Sequence, residues 1–224
     1  MISIFIRDCT TLMDPLTCPH VMDGLSEVRR DKILRFKNEP DRKRSLMAGI
    51  MIRDNLLKCG FSQDDILISD NGRPYIDGID FNVSHSGDYV VMVISDEASV
   101  GCDIELMRDR SVSPAQKYFS DAEKAWIDSE ADKRPAFYRI WTARESYIKL
   151  TGEGILLDFS RYEVNMLDAP GSMDAIGGDI TNATPMGVAE VVRDGERSAC
   201  VIYQWIYDKE YVISVCRRNA SEDK

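Results

Sequence analysis

The chain has 224 residues, 44% of them apolar and 29% charged, and a formal net charge of −10. A chain of this size buries roughly 70% of its unfolded surface and suits one large domain or two small ones, so a soluble globular protein is expected rather than a disordered one. The negative balance argues against nucleic acid or an anionic membrane as partner, no apolar run nears the roughly 20 residues of a membrane span, and Met1–Arg7 is too short and lacks the basic start of a signal peptide, which places the protein in the cytoplasm.

In chain order, Ile2–Arg7 reads as a strand, followed by a polar loop to about His20. A helix over Leu25–Lys37 begins near a Ser26 cap, and a second, over Asp41–Cys59, stops at Gly60. These two carry a basic block inside an acidic protein: Arg29, Arg30, Lys32, Arg35, Lys37, Arg42, Lys43, Arg44, Arg53 and Lys58. On charge alone a pair of solvated helices explains the block as well as a binding face does. Ile66–Ser69 reads as a strand and Asn71-Gly72-Arg73-Pro74 as a turn. Asn82–Val83 and Tyr89–Ser95 are strands around a tight Ser86-Gly87-Asp88 corner, and Val100–Leu106 is the next.

After Ser113-Pro114 the pattern becomes helical. Asp121–Ser129 has Ser120 and Glu123 as a capping box, and Pro135–Leu150 has apolar residues at helical spacing. Beyond Gly154 come strands at Tyr162–Met166, Val188–Val192, Ala199–Tyr207 and Tyr211–Cys216, with a loop over 168–186 and a frayed tail from Arg217 to Lys224. Six scattered cysteines and two histidines show neither zinc-ligand nor disulfide spacing. Each half runs strand, helices, antiparallel strands, which suits an α+β protein of two similar lobes.

Two segments carry the chemistry. In Val100-Gly101-Cys102-Asp103-Ile104-Glu105-Leu106 the strand period puts Asp103 and Glu105 on one face. In Trp141-Thr142-Ala143-Arg144-Glu145-Ser146-Tyr147-Ile148-Lys149 the helical period stacks Glu145 and Lys149 four residues apart. Hard divalent cations take oxygen ligands, and Mg²⁺ uses few carboxylates and keeps water or phosphate in its shell, so a strand Asp-x-Glu plus a helical Glu fits it. Taken singly, the first motif is also a common strand end and the second a common solvated pair.

The order of Phe81-Asn82-Val83-Ser84-His85-Ser86-Gly87, Gly101-Cys102-Asp103-Ile104-Glu105, Phe119-Ser120-Asp121-Ala122-Glu123 and Trp141–Gly154 resembles the 4'-phosphopantetheinyl transferases. The resemblance is to their larger single-chain class, the surfactin-synthase-activating type, and covers about Leu25 to Phe159. It implies a pseudo-dimer with an antiparallel sheet and packed helices in each lobe. The N-terminal lobe over 1–99 would contact the phosphates of coenzyme A, and the C-terminal lobe over 100–224 would carry the metal-binding carboxylates and catalytic helix.

It further implies that Asp103, Glu105 and Glu145 hold Mg²⁺ against the diphosphate of coenzyme A. Lys149 would lie on the same diphosphate, as charge partner and possible acid for the departing adenosine 3',5'-bisphosphate. His85, with Arg44 and Ser45, would bind the 3'-phosphate; Ser84 belongs to the same polar corner. Arg29 and Lys32 would embrace the coenzyme's phosphates, and Arg73 stands where the family usually has lysine, keeping the charge but not the ammonium geometry. The nucleophile would be a serine of an acyl or peptidyl carrier protein, deprotonated by Glu145 or by a water on Glu105. Cys102 departs from the usual Ile or Val, but points to the apolar side of its strand.

Two other classes fit the same residues: a Mg²⁺-dependent nucleotide phosphohydrolase with water as nucleophile, and a non-enzymatic coenzyme A-binding module. A monomer is expected, since a pseudo-dimer completes its cleft within one chain.

Overall fold

The computed structural model describes residues 1–108, 117–154, 161–167, 176–180 and 184–219. Its elements, in order, are strand β1 (Ile2–Asp8), helices α1 (Glu27–Leu34) and α2 (Glu39–Lys58), and strands β2 (Leu67–Ile68), β3 (Pro74–Tyr75), β4 (Asp80–Ser86), β5 (Tyr89–Ser95) and β6 (Ala98–Leu106). Helices α3 (Asp121–Ser129) and α4 (Lys133–Thr151) follow, then strands β7 (Tyr162–Leu167), β8 (Ile176–Gly178), β9 (Gly187–Arg193), β10 (Glu196–Tyr207) and β11 (Tyr211–Asn219).

One sheet has the order β4-β5-β1-β8 and the other β6-β11-β10-β9-β7. The two pack face to face: Ile2, Ile4, Ile6, Val91 and Val93 meet Val100, Cys102, Ile104, Ile213 and Val215 in one buried cluster. The outer face of the first sheet, with Val90, Met92 and Ile94, is covered by Met47, Met51, Ile52 and Leu56 of α2. The outer face of the second is covered by α4, whose Ala136, Ile140, Ala143, Tyr147 and Leu150 recur at three- and four-residue spacing along a single stripe. The result is an α+β protein of two lobes, each a sheet backed by helices.

Local signals fix the helix ends. Ser26 accepts from the Arg29 N–H at the start of α1, and Ser120 and Glu123 form a reciprocal capping box on α3. Asp132 caps α4, which ends at Gly152 in the left-handed region (φ 70°).

Three sequence expectations change. The loop over 168–186 contains β8, which pairs parallel to β1 with Ile2 opposite Ile176, so the first sheet is not wholly antiparallel and takes a strand from the second half of the chain. The tail begins later than Arg217, because β11 continues through Asn219 opposite Ala98; residues 220–224 lie outside the described residues, as do 155–160, where the resemblance ended, and 109–116, which include Ser113-Pro114. The strand at Asn82–Val83 is longer, running over all of β4.

Candidate active site

β4 and β6 lie side by side without a backbone ladder, joined by side chains of β4. Asp80 Oδ2 accepts from the Val100 N–H (2.8 Å), Asn82 Oδ1 from Cys102 N–H (3.1 Å) and Ser86 Oγ from Leu106 N–H (3.1 Å). Alternate residues of β4 thus satisfy the edge amides of β6, and the strands stay far enough apart for polar side chains to lie between them.

The carboxylates stand along that seam. Asp103 is buried, with Ser84 Oγ donating to its Oδ1 at 2.8 Å. Glu105, half-buried, accepts at Oε2 from Ser86 Oγ, also at 2.8 Å. Helix α4 brings its own pair against the same strand. Gly101 makes the approach possible: a Cβ there would lie 2.6 Å from Leu150 N and 2.9 Å from Leu150 Cβ. Lys149 Nζ then reaches Asp103 Oδ1 at 2.6 Å and Ser84 Oγ at 2.8 Å. Glu145, one turn earlier, is buried.

These groups titrate each other. Burial pushes the Glu145 carboxyl up to about 7, Asp103 and Glu105 adding to the effect and Lys149 opposing it. Glu105 is raised for the same reasons, burial first and Asp103 next, against the Ser86 hydrogen bond. Burial alone would lower the Lys149 ammonium, but Asp103, Cys102 and Glu145 outweigh it and hold its pKa above the ordinary value.

His85 projects from β4 on the side opposite Ser84 and Ser86. Its imidazole pKa lies below the usual value, through burial of its flank and then the charges of Arg44 and Lys149, with Asp41 opposing. Arg44 donates from Nη1 to the Gly87 carbonyl (2.7 Å) and from Nη2 to Asp41 (2.5 Å). Beside it on α2, Ser45 Oγ is buried with no hydrogen-bond partner among the described residues.

Other candidate residues lie further out. The Arg29 stem covers Gly49 of α2, and burial lowers its pKa; Lys32 on α1 is lowered by burial and then by Arg29. Arg73 donates from Nη2 to both oxygens of Asp80 (2.7 Å each) and to the Val100 carbonyl (3.0 Å), which ties the β2–β3 hairpin to the start of β6. The aromatic residues divide: Phe119 is in the core under α3, Trp126 and Trp141 pack at its margin, and Tyr118 is exposed.

Two features escaped the sequence reading. Arg144, next to Glu145, points the other way: Nε and Nη2 donate to Glu123 at 2.8 and 2.5 Å, and both side chains are almost wholly buried. Glu123 also accepts from the Ser120 and Val164 N–H groups, so one ion pair joins α3, α4 and β7. The capping box placed Glu123, but nothing local announced its partner 21 residues on. The second is the Ser86 bond to Glu105, for which the Ser-His-Ser spacing was the available signal.

No group of three or more His, Cys, Asp or Glu residues is arranged to hold a metal ion among the described residues. The donor chemistry nonetheless fits Mg²⁺. Asp103 Oδ2 is buried without a hydrogen-bond partner among the described residues, and Glu105 and Glu145 are carboxylates whose mutual repulsion a cation would relieve.

Comparison with known proteins gives a consistent result. Residues 99–216 match the 4'-phosphopantetheinyl transferase superfamily, and residues 17–97 match the family described as 4'-phosphopantetheinyl transferase, N-terminal. The chain is 32% identical to 4'-phosphopantetheinyl transferase gsp of Aneurinibacillus migulanus, over 63% of this chain and 62% of that protein. It is 28% identical to a 4'-phosphopantetheinyl transferase of Bacillus subtilis, over 88% of this chain and 83% of that one, and 26% identical to 4'-phosphopantetheinyl transferase Sfp of Bacillus subtilis (strain 168), over 87% and 83%. The chain belongs to the 4'-phosphopantetheinyl transferase superfamily, in its larger Sfp-like group, and is an enzyme of that type.

Proposed function

We propose that this enzyme transfers 4'-phosphopantetheine from coenzyme A to a serine of an apo acyl or peptidyl carrier protein in a Mg²⁺-dependent reaction, releasing holo carrier and adenosine 3',5'-bisphosphate. The observation that carries the reading is the seam itself: three carboxylates and one lysine from strand β6 and helix α4, with a buried Asp103 oxygen that has no hydrogen-bond partner among the described residues.

Asp103, Glu105 and Glu145 would hold the metal, which when bound neutralises the diphosphate and polarises the bond to be broken. The chain's own residues supply the rest. Arg44, Ser45 and His85 would take the 3'-phosphate: the Arg44 charge acts on the His85 imidazole, and Ser45 Oγ, without a partner among the described residues, has a hydrogen bond to offer. Ser84 holds Asp103 and Lys149 in register. Arg29 and Lys32 would embrace the phosphates from α1, and Arg73 would close the far side with Nε, which is buried and has no hydrogen-bond partner among the described residues. In the reaction the serine oxygen bonds to the β-phosphorus, the bridging phosphorus–oxygen bond breaks, and the serine proton passes to a carboxylate. Glu145, carried to the seam one turn before Lys149, is the base of choice, and Lys149 balances the charge that develops on the leaving phosphate.

A cytoplasmic monomer completes the reading. All six cysteines are free thiols, and no helix among the described residues is long and apolar enough to cross a membrane.

Intact-mass spectrometry of an apo carrier protein, incubated with the enzyme, coenzyme A and Mg²⁺, is the test. A gain of one phosphopantetheine, abolished when the carrier's acceptor serine is replaced by alanine, is the expected result. Release of adenosine 3',5'-bisphosphate without a carrier would instead assign hydrolysis, and binding of coenzyme A without turnover would assign a binding module.

A further inference from the structure

Ser86 ends β4 at the corner where β4 turns into β5, and its hydroxyl makes two bonds to consecutive residues of β6. Its oxygen accepts from the Leu106 N–H at 3.1 Å, and its proton goes to Glu105 Oε2 at 2.8 Å. A hydroxyl has one proton to give, so the bond from the strand amide leaves that proton directed at the carboxylate. The side chain of Glu105 is thereby referenced to the backbone of its own strand.

The corner that presents Ser86 is rigid. Gly87 has φ +54°, and a Cβ there would lie 3.1 Å from Tyr211 Cε1, so the β11 tyrosine closes over the turn; its hydroxyl accepts from the Asp88 N–H at 3.2 Å. From the other lobe Arg44 Nη1 holds the Gly87 carbonyl at 2.7 Å. Ser86 and Tyr89 face each other in the β4–β5 ladder. Three elements thus fix the corner that presents Ser86, whose hydroxyl bonds among the described residues go to β6.

We infer that Ser86 is a positioning residue for Glu105: it holds Oε2 by a hydrogen bond and so presents Oε1 to the divalent cation, an inference that rests on the metal reading above. Losing a group that orients a ligating side chain typically costs about 10–100-fold in metal affinity. Ser84 does the same for Asp103, but shares its bond with Lys149 and cannot be tested separately from the cation.

Mn²⁺ binding to the full-length enzyme, in the absence of coenzyme A and carrier and followed by electron paramagnetic resonance, reads the effect without turnover. Ser86→Ala should raise the Mn²⁺ dissociation constant by about 10–100-fold, and Ser86→Thr, which keeps the hydroxyl, should restore it. Carrier modification should follow the same order, with the loss in Ser86→Ala recovered by high Mg²⁺. Ser86→Cys keeps the volume with a weak donor and serves if the alanine variant does not fold; it should bind Mn²⁺ like Ser86→Ala. Wild-type affinity in a folded Ser86→Ala or Ser86→Cys variant would overturn the inference and leave the metal reading standing. A wild-type enzyme that binds no Mn²⁺ would remove both.

Discussion

Lys149 Nζ lies 2.6 Å from Asp103 Oδ1, an ion pair that ties helix α4 to strand β6 beside Ser84 of β4. It occupies one carboxylate oxygen and leaves the other, Oδ2, buried and without a hydrogen-bond partner among the described residues. Asp103→Asn keeps the shape and removes the charge. Since loss of groups that merely orient a ligand costs about 10–100-fold, loss of the ligand's charge should lower carrier modification by at least about 10²-fold with the fold retained. Circular dichroism together with the carrier mass assay checks this; an Asn variant with wild-type activity would remove Asp103 from the site.

Gly101 sets how closely that helix can approach. A methyl group there would press into the Ser146 carbonyl and the Leu150 amide of α4, both of them backbone. Gly101→Ala should therefore push α4 off the strand, at a cost of about 1–3 kcal/mol in stability, the usual range for overpacking. The larger effect should be on rate, because Glu145 and Lys149 ride on the displaced helix and a shift of about 1 Å costs on the order of 10²-fold. Thermal melts and kcat measured together test it: a variant with reduced stability but unchanged kcat would show that the helix docks without help from this glycine.

Adjacent residues of α4 should behave in opposite ways. Arg144 is buried in its ion pair with Glu123 and holds α3 and β7, whereas Glu145 faces the seam. Removing one partner of a buried pair costs about 3–5 kcal/mol, so Arg144→Met and Glu123→Gln should both lower the denaturant midpoint sharply. Glu145→Gln should leave it unchanged or raise it, since it removes a carboxylate that repels Asp103 and Glu105, while abolishing turnover. Chemical denaturation of the three variants separates structure from chemistry.

How much of this was legible in the sequence depended on distance along the chain. The capping box Ser120–Glu123, the strand alternation around Asp103 and the Glu145–Lys149 spacing are local patterns and stand in the structure where the periodicity placed them. β8 was missed because Ile-Gly-Gly has no period to read. Its reason for being glycine is nonlocal: at Gly178 (φ +85°) a Cβ would lie 2.8 Å from the Ile4 carbonyl carbon, in a strand 174 positions earlier. The partners of Arg73 and Arg144 were equally invisible, since a charge in the sequence does not say which opposite charge it meets. The seam between β4 and β6 depends on side chains of one strand reaching amides of another, and alternation shows only which residues share a face.

The acid limit of stability should be set partly outside the site. Asp14, in the loop after β1, accepts from Arg42 Nε (2.7 Å) and Nη2 (2.6 Å), while Arg42 Nη1 donates to the Phe36 and Lys37 carbonyls, so the pair pins the α1–α2 turn. The Arg42 hydrogen bonds hold the Asp14 carboxyl at about 2, below its ordinary 3.8. A carboxylate whose pKa is lower folded than unfolded binds fewer protons in the native state, so its contribution is complete above pH 3.8 and is lost as pH falls from there through about 2. Asp14→Asn should therefore lower stability at neutral pH and flatten its fall on acidification, so that the wild-type and variant curves converge between these two values. Urea midpoints measured from pH 7 to pH 2 test it; curves that stay parallel over that range would show that Asp14 keeps no depressed pKa.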